Sequence, residues 1–108
     1  MFLIVSRLLI PKGYSGLTLF PFIIIRHKGD RDDRVLIHHE RIHIRQQAEM
    51  LVIPFFLWYG IEFILRWIRY RSIALAYKNI SFEREAYANE KDPEYLKTRP
   101  FWRFVKFV

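Results

Sequence analysis

Cysteine does not occur in the chain. Disulfide staples and thiolate metal ligands are therefore excluded, and the redox compartment stays open. Glycine and proline are sparse, with four and five residues, and no Gly/Ser linker, repeat or low-complexity tract divides the sequence. A length of 108 residues then allows one small domain, 1–108. Acidic residues are outnumbered, 11 against 18 Lys and Arg, for a net charge of +7. That balance suits anionic lipid or nucleic acid equally well. The cations are scattered and no recognised DNA- or RNA-binding motif is present, so no nucleic-acid partner is expected. An apolar run of the ~20 residues a spanning helix needs is also missing. The longest candidate, Leu51 to Leu65, is shorter and contains Glu62.

What is present in surplus is apolar and aromatic surface, 52% and 18% of residues, more than a small core absorbs. Arg66, Trp67, Arg69, Tyr70 and Arg71 follow the Leu51–Leu65 stretch directly. Arginine and aromatic residues at the end of an apolar helix suit a membrane interface. The expectation is a membrane-associated protein, cytoplasmic or inner-membrane, in contact with the membrane surface or bilayer. Met1 to Ile10 lacks a basic leader and a small-residue cleavage site, so it reads as a strand and not as a signal peptide.

Histidine is scarce too, with four residues, yet two of them fall in His39-Glu40-Arg41-Ile42-His43, an H-E-x-x-H. On an α-helix, residues four apart share a face. His39 and His43 can thus aim two imidazoles at one Zn²⁺. Glu40 is offset around the helix, beside the metal, where a water in the open coordination position can lose a proton to it. Catalytic zinc takes three protein ligands. His38 points about 100° away from His39, and no histidine follows His43. A carboxylate from a later helix is the natural third ligand, and Phe82–Glu90 (FEREAYANE) offers Glu83 and Glu85. These lie two apart and face different ways, so only one can serve.

The remaining chain reads as follows. Pro11–Gly16 is a turn, and Leu17–Ile25 a second strand in which Pro21 argues for an edge or a bulge. Arg26–Arg34 is a charged loop, and Asp32 or Asp33 caps a helix from about Arg34 to Met50. On that helix His39, His43, Gln46 and Gln47 form one polar stripe, either a solvated face or a buried metal site. Pro54 suits the first turn of the next helix. Asn79 or Ser81 caps the Phe82–Glu90 helix. Glu94–Arg99 forms a short helical turn, and the tail PFWRFVKFV is a closing strand or an interfacial anchor.

An H-E-x-x-H followed on a later helix by E-x-E-A resembles the gluzincin zinc metallopeptidases. HERIHIRQQ resembles small gluzincin domains with H-E-x-x-H-x-x-Q-Q. It is also similar to the membrane-embedded metallopeptidase domains of β-lactam sensor proteins, which place a hydrophobic helix between the two motifs. The likeness covers about Val35 to Glu90. It implies an α+β fold in which an N-terminal β-hairpin or small sheet packs on a zincin-like helical core of metal helix, hydrophobic helix and third-ligand helix. It further implies Glu83 as the zinc ligand, with an acidic residue four positions on; Tyr87 stands there instead. In the sensor-type alignment Glu85 would be the ligand and Asn89 its partner; Glu83 is the preferred assignment. The expected function is zinc-dependent hydrolysis of a peptide or protein substrate, with His39, His43 and Glu83 on the metal and Glu40 as base. Tyr87, Tyr77 and Arg84 are candidate donors to the transition state, and Leu17–Ile25 could lie beside the metal helix and pair with an extended substrate. The alternative is a membrane-associated zinc-binding protein without protease activity.

Overall fold

A computed structural model describes residues 2–108; Met1 lies outside the described residues. The architecture is α+β. Strand β1 (Phe2–Val5) runs parallel to β3 (Phe22–Ile25), and β2 (Gly16–Leu19) pairs antiparallel with β3, in the order β1-β3-β2. Leu17–Ile25 is therefore a tight hairpin and not a single strand. The chain reverses at Phe20-Pro21, where the missing N–H of proline costs the sheet nothing. The central strand buries Ile23, Ile24 and Ile25, as a strand covered on both faces does.

The Arg26–Arg34 segment contains a 3-10 turn, Lys28–Asp32, and then enters helix α1 (Arg34–Met50). Asp33 is its cap, its Oδ1 accepting the Leu36 N–H at 3.1 Å. Leu51, with φ 64°, breaks the helix, and α2 (Val52–Tyr70) starts at once with Pro54 in its first turn. The pair bends by 112°. Among the described residues no single helix is long and apolar enough to cross a membrane; α1 and α2 pass that test only together, by length and composition. The short α3 (Ile73–Lys78) is capped by Ser72, whose Oγ accepts the Leu75 N–H.

Helix α4 (Ser81–Asn89) corrects the capping expectation. Its N-cap position is Ile80, and neither Asn79 nor Ser81 caps it. The carboxylate of Glu62, reaching over from α2, accepts the Ser81 N–H at 3.0 Å and the Ser81 hydroxyl. Helix α5 (Tyr95–Thr98) follows the Asp92-Pro93 break. The tail is not a strand. Arg103–Phe107 forms a 3-10 turn that buries Phe104 completely. Phe104 stacks 4.4 Å from Phe82, which lies 4.3 Å from Phe55. With Met50 and Ile80 these rings form the core between α2, α4 and the tail.

Candidate metal centre

Beside Ile42 and Met50, helix α1 buries its polar stripe. His39, Glu40, His43, Gln46 and Gln47 are all at most 5% exposed, whereas Val35 is 38% exposed and Ala48 lies outside. Such a stripe is tolerable inside only if each polar group is paired, and each one is.

His39 and His43 project from α1 toward the first turn of α4, where Glu83 is also buried. Nε2 of His39 lies 3.1 Å from Oε1 of Glu83 and 3.2 Å from Nε2 of His43, which is itself 3.1 Å from Oε1 of Glu83. These three are the described group whose ligand atoms converge closely enough to hold a metal ion. A tetrahedral ion with nitrogen and oxygen ligands at about 2.0–2.1 Å needs them about 3.3–3.4 Å apart. The chain thus presents its three donors at nearly that spacing. Two neutral imidazoles and one carboxylate are a suitable donor set for a borderline divalent cation.

Each donor is held from behind. The Nδ1–H of His39 donates to Glu90 Oε2 at 2.8 Å, and that of His43 to Gln46 Oε1 at 2.7 Å. Both contacts leave Nε2 facing the convergence point. The Tyr59 hydroxyl donates to the second oxygen of Glu83 at 2.8 Å. The ring of Tyr87 packs edge-on against His39, with centroids 4.5 Å apart. Burial opposes a proton on His43, but the adjacent Glu83 charge and hydrogen bond outweigh it and push its pKa up to about 9. Burial likewise raises the Glu83 carboxyl, but the two imidazoles overcome this and hold it well below the usual carboxylate range.

Glu85 faces elsewhere. It is bound by Arg99, by the Tyr95 hydroxyl at 2.6 Å and by the Gln46 amide at 3.0 Å. Asn89 bonds only its backbone carbonyl. Of the two candidate carboxylates, the structure brings Glu83 to the histidines and leaves Glu85 to the tail.

Glu40 approaches from the other side, against β2. Thr18 Oγ1–H donates to its Oε2 at 2.7 Å. Gly16 allows this close approach, since a Cβ at that position would sit 3.0 Å from Glu40 Oε1. The Gln47 amide fastens the same strand, accepting the Phe20 N–H at 2.7 Å and donating to the Thr18 carbonyl at 2.9 Å. The strand does lie beside the metal helix, and α1 itself occupies part of its outer edge. Two adjoining cavities, of about 270 and 490 Å³, share Tyr14, Gly16, Glu40 and Tyr77. His43, Glu83, Phe55, Phe56 and Tyr59 line the first, and His39, Tyr87 and Glu90 the second. Tyr77 receives the Tyr87 hydroxyl at 3.3 Å. Burial and the nearby Glu83 charge raise the Tyr77 phenol far above its ordinary range, so it stays a proton donor. Arg84 is exposed and outside both cavities.

No family model, curated protein or solved structure matches the chain. The sequence pattern did not single out Glu90, Gln46 and Tyr59 as supports of the donors. Gln46 carried a weak signal, since it shares a helical stripe with His39 and His43.

Proposed function

We propose that the chain is a zinc-dependent, gluzincin-like metallopeptidase with a zincin-like helical core, and that His39, His43 and Glu83 hold Zn²⁺. One observation carries this reading. Three donor atoms from two helices meet at ligand spacing, and Glu40 lines the same cleft without being among them. A structural zinc is closed by four protein ligands, and three with an open side favour catalysis. Zinc held there would supply Lewis-acid polarisation of a carbonyl and acidify a water. Glu40 accepts the proton of the attacking water and returns it to the leaving amine. The hydrogen bond from Thr18 and the close approach of Gly16 keep its carboxylate oriented toward the cleft. Tyr77 is the cleft phenol positioned to donate to the oxyanion. The free positions of β2 bind an extended peptide beside α1.

The proposal includes contact with a membrane surface. Ile53, Leu57, Ile61, Ile64, Leu65 and Ile68 of α2 are 55–74% exposed, an apolar stripe that ends at Arg69, Tyr70 and Arg71. Such a helix lies in the interface with its arginines at anionic headgroups.

The deciding experiment is zinc stoichiometry and peptide cleavage in wild type and Glu40→Gln. The variant is expected to bind one zinc and lose cleavage by more than about 100-fold. Retained cleavage would reject Glu40 as the base. Zinc binding without cleavage in the wild type would favour the membrane-associated, non-catalytic zinc protein.

A further inference from the structure

The deepest polar group of α1 is Gln46, fully buried, and its amide bridges the metal helix to α4. One terminal atom of that amide lies 3.1 Å from the Phe82 carbonyl and 3.0 Å from Glu85 Oε1. The other lies 2.7 Å from Nδ1 of His43. A carbonyl can only accept a hydrogen bond, and an ionised carboxylate can only accept. Glu85 stands here as an acceptor: Arg99 donates to both of its oxygens and the Tyr95 hydroxyl to one of them at 2.6 Å. Two acceptors at one end of the amide fix that end as NH₂. The other end is then the oxygen, and an oxygen there needs a proton on Nδ1 of His43.

We infer that Gln46 is a positioning residue whose amide orientation, dictated by the Arg99–Glu85 pair, holds His43 with its proton on Nδ1 and Nε2 turned to the metal site. The inference deepens the metal-centre reading and rests on it. It gives Glu85 a role different from ligation: the carboxylate sets a polarity that is passed through one amide to the imidazole. It also makes the tail part of the centre. Arg99 is 6% exposed, donates to both oxygens of Glu85 and reaches Glu49 Oε2 at 2.6 Å. The Trp102 N–H donates to the other oxygen of Glu49 at 3.2 Å. Residues 95–102 thereby clamp a carboxylate on each of α1 and α4.

The arrangement is directional. If the amide were reversed, its oxygen would face two acceptors and its NH₂ would face His43. The imidazole would then have to accept at Nδ1, placing its proton on Nε2 and blocking that nitrogen as a ligand. The His39 side works without a switchable group, since a carboxylate, Glu90, accepts from its Nδ1 directly. The two histidines therefore differ in how their proton is placed, and only His43 depends on the tail.

The test uses the full chain labelled with ¹⁵N-histidine. In the metal-free wild type, long-range proton–nitrogen spectra should show a His43 Nδ1 proton protected from exchange. That protection should vanish in Gln46→Ala and weaken in Glu85→Gln, where a neutral amide can offer either polarity to Gln46. Zinc competition with a chelator should show Gln46→Ala weakened about 10–100-fold. Glu85→Gln should shift in the same direction while touching none of the three donor atoms. Zinc-loaded wild type should carry the ion on Nε2 of His43. Circular dichroism establishes that each variant is folded; for one that is not, the wild-type spectra decide alone. An unprotected Nδ1 proton, zinc bound through Nδ1, or a folded Gln46→Ala with affinity within twofold of wild type would each overturn the inference. A wild type that keeps the protected Nδ1 proton but takes up no zinc would uphold the hydrogen-bond relay and defeat the metal reading instead.

Discussion

Glu62 of α2 bears on the position of Glu83, because it holds the first residue of the helix that carries Glu83. Helix α4 has no side-chain cap of its own. The carboxylate of Glu62, 7% exposed, accepts the Ser81 N–H at 3.0 Å, the Ser81 hydroxyl, and the Trp58 Nε1–H at 2.8 Å. Arg66 is more distant, at 3.8 Å. Removing this acceptor leaves the buried Ser81 N–H and the part-buried Trp58 N–H without a partner, at about 1–3 kcal/mol each, the first of these being the lost cap of α4. Glu62→Ala should therefore cost about 2–6 kcal/mol, a large part of the roughly 5–15 kcal/mol that holds a domain folded. Glu62→Gln keeps a carbonyl oxygen for one donor and should cost about 1–2 kcal/mol. The assay is urea denaturation followed by tryptophan fluorescence, with chelator present so that zinc does not add its own stabilisation. A loss below about 1 kcal/mol in Glu62→Ala would refute the cap argument. Equal losses in both variants would refute the claim that paired acceptors, and not charge alone, are at work.

Three further outcomes follow from the same geometry. Gly16→Ala should push the Glu40 carboxylate by a few tenths of an ångström and lower turnover about three- to tenfold, with zinc affinity unchanged in a chelator competition. Tyr59→Phe releases Glu83 Oε2 and should weaken zinc about tenfold, read by the same competition. Zinc loading near pH 7.5 should expel about one proton, because metal-free His43 titrates near 9; calorimetry in two buffers of different ionisation enthalpy reads it. The linked stability has a definite sign: a raised histidine pKa stabilises the metal-free fold fully below the ordinary histidine range, and that contribution is lost as pH rises through about 9. Zero proton release would contradict the His43–Glu83 pairing.

Local signals in the sequence located the elements that their own residues terminate. Helix α1 was legible because Asp33 caps it, and α2 because Pro54 suits its first turn. The hairpin was not, since LTLFPFIII is apolar throughout and gives no alternation by which to see the reversal at Phe20-Pro21. The start of α4 was misread for a different reason: its acceptor is a carboxylate nineteen residues away on another helix. The 3-10 turn of the tail was not legible for the same reason, because the burial of Phe104 depends on rings of α2 and α4 that no local pattern announces.

The site divides along the same line. His39, Glu40 and His43 are a local constellation, and helical spacing alone places them. Choosing between Glu83 and Glu85 is a non-local question. The two lie about 200° apart around a helix, so whichever faces α1's histidines, the other faces away. Arg99, fourteen residues on, takes Glu85 and so leaves Glu83 for the imidazoles. The polar stripe makes the stronger argument. Beside Ile42 and Met50 the helix buries two histidines, a glutamate and two glutamines, while Val35, Ala48 and the isoleucines along the outer face of α2 stay exposed. Burying five polar side chains on one helix face is unfavourable unless each finds a partner. Here the partners come from β2, α4 and the residue after it, while α2 acts at one remove, through the Tyr59 hydroxyl on Glu83. A helix selected for stability alone would carry apolar residues at those five positions as well as at Ile42 and Met50, so the polar stripe asks for a reason beyond packing, whichever ion or substrate that reason involves.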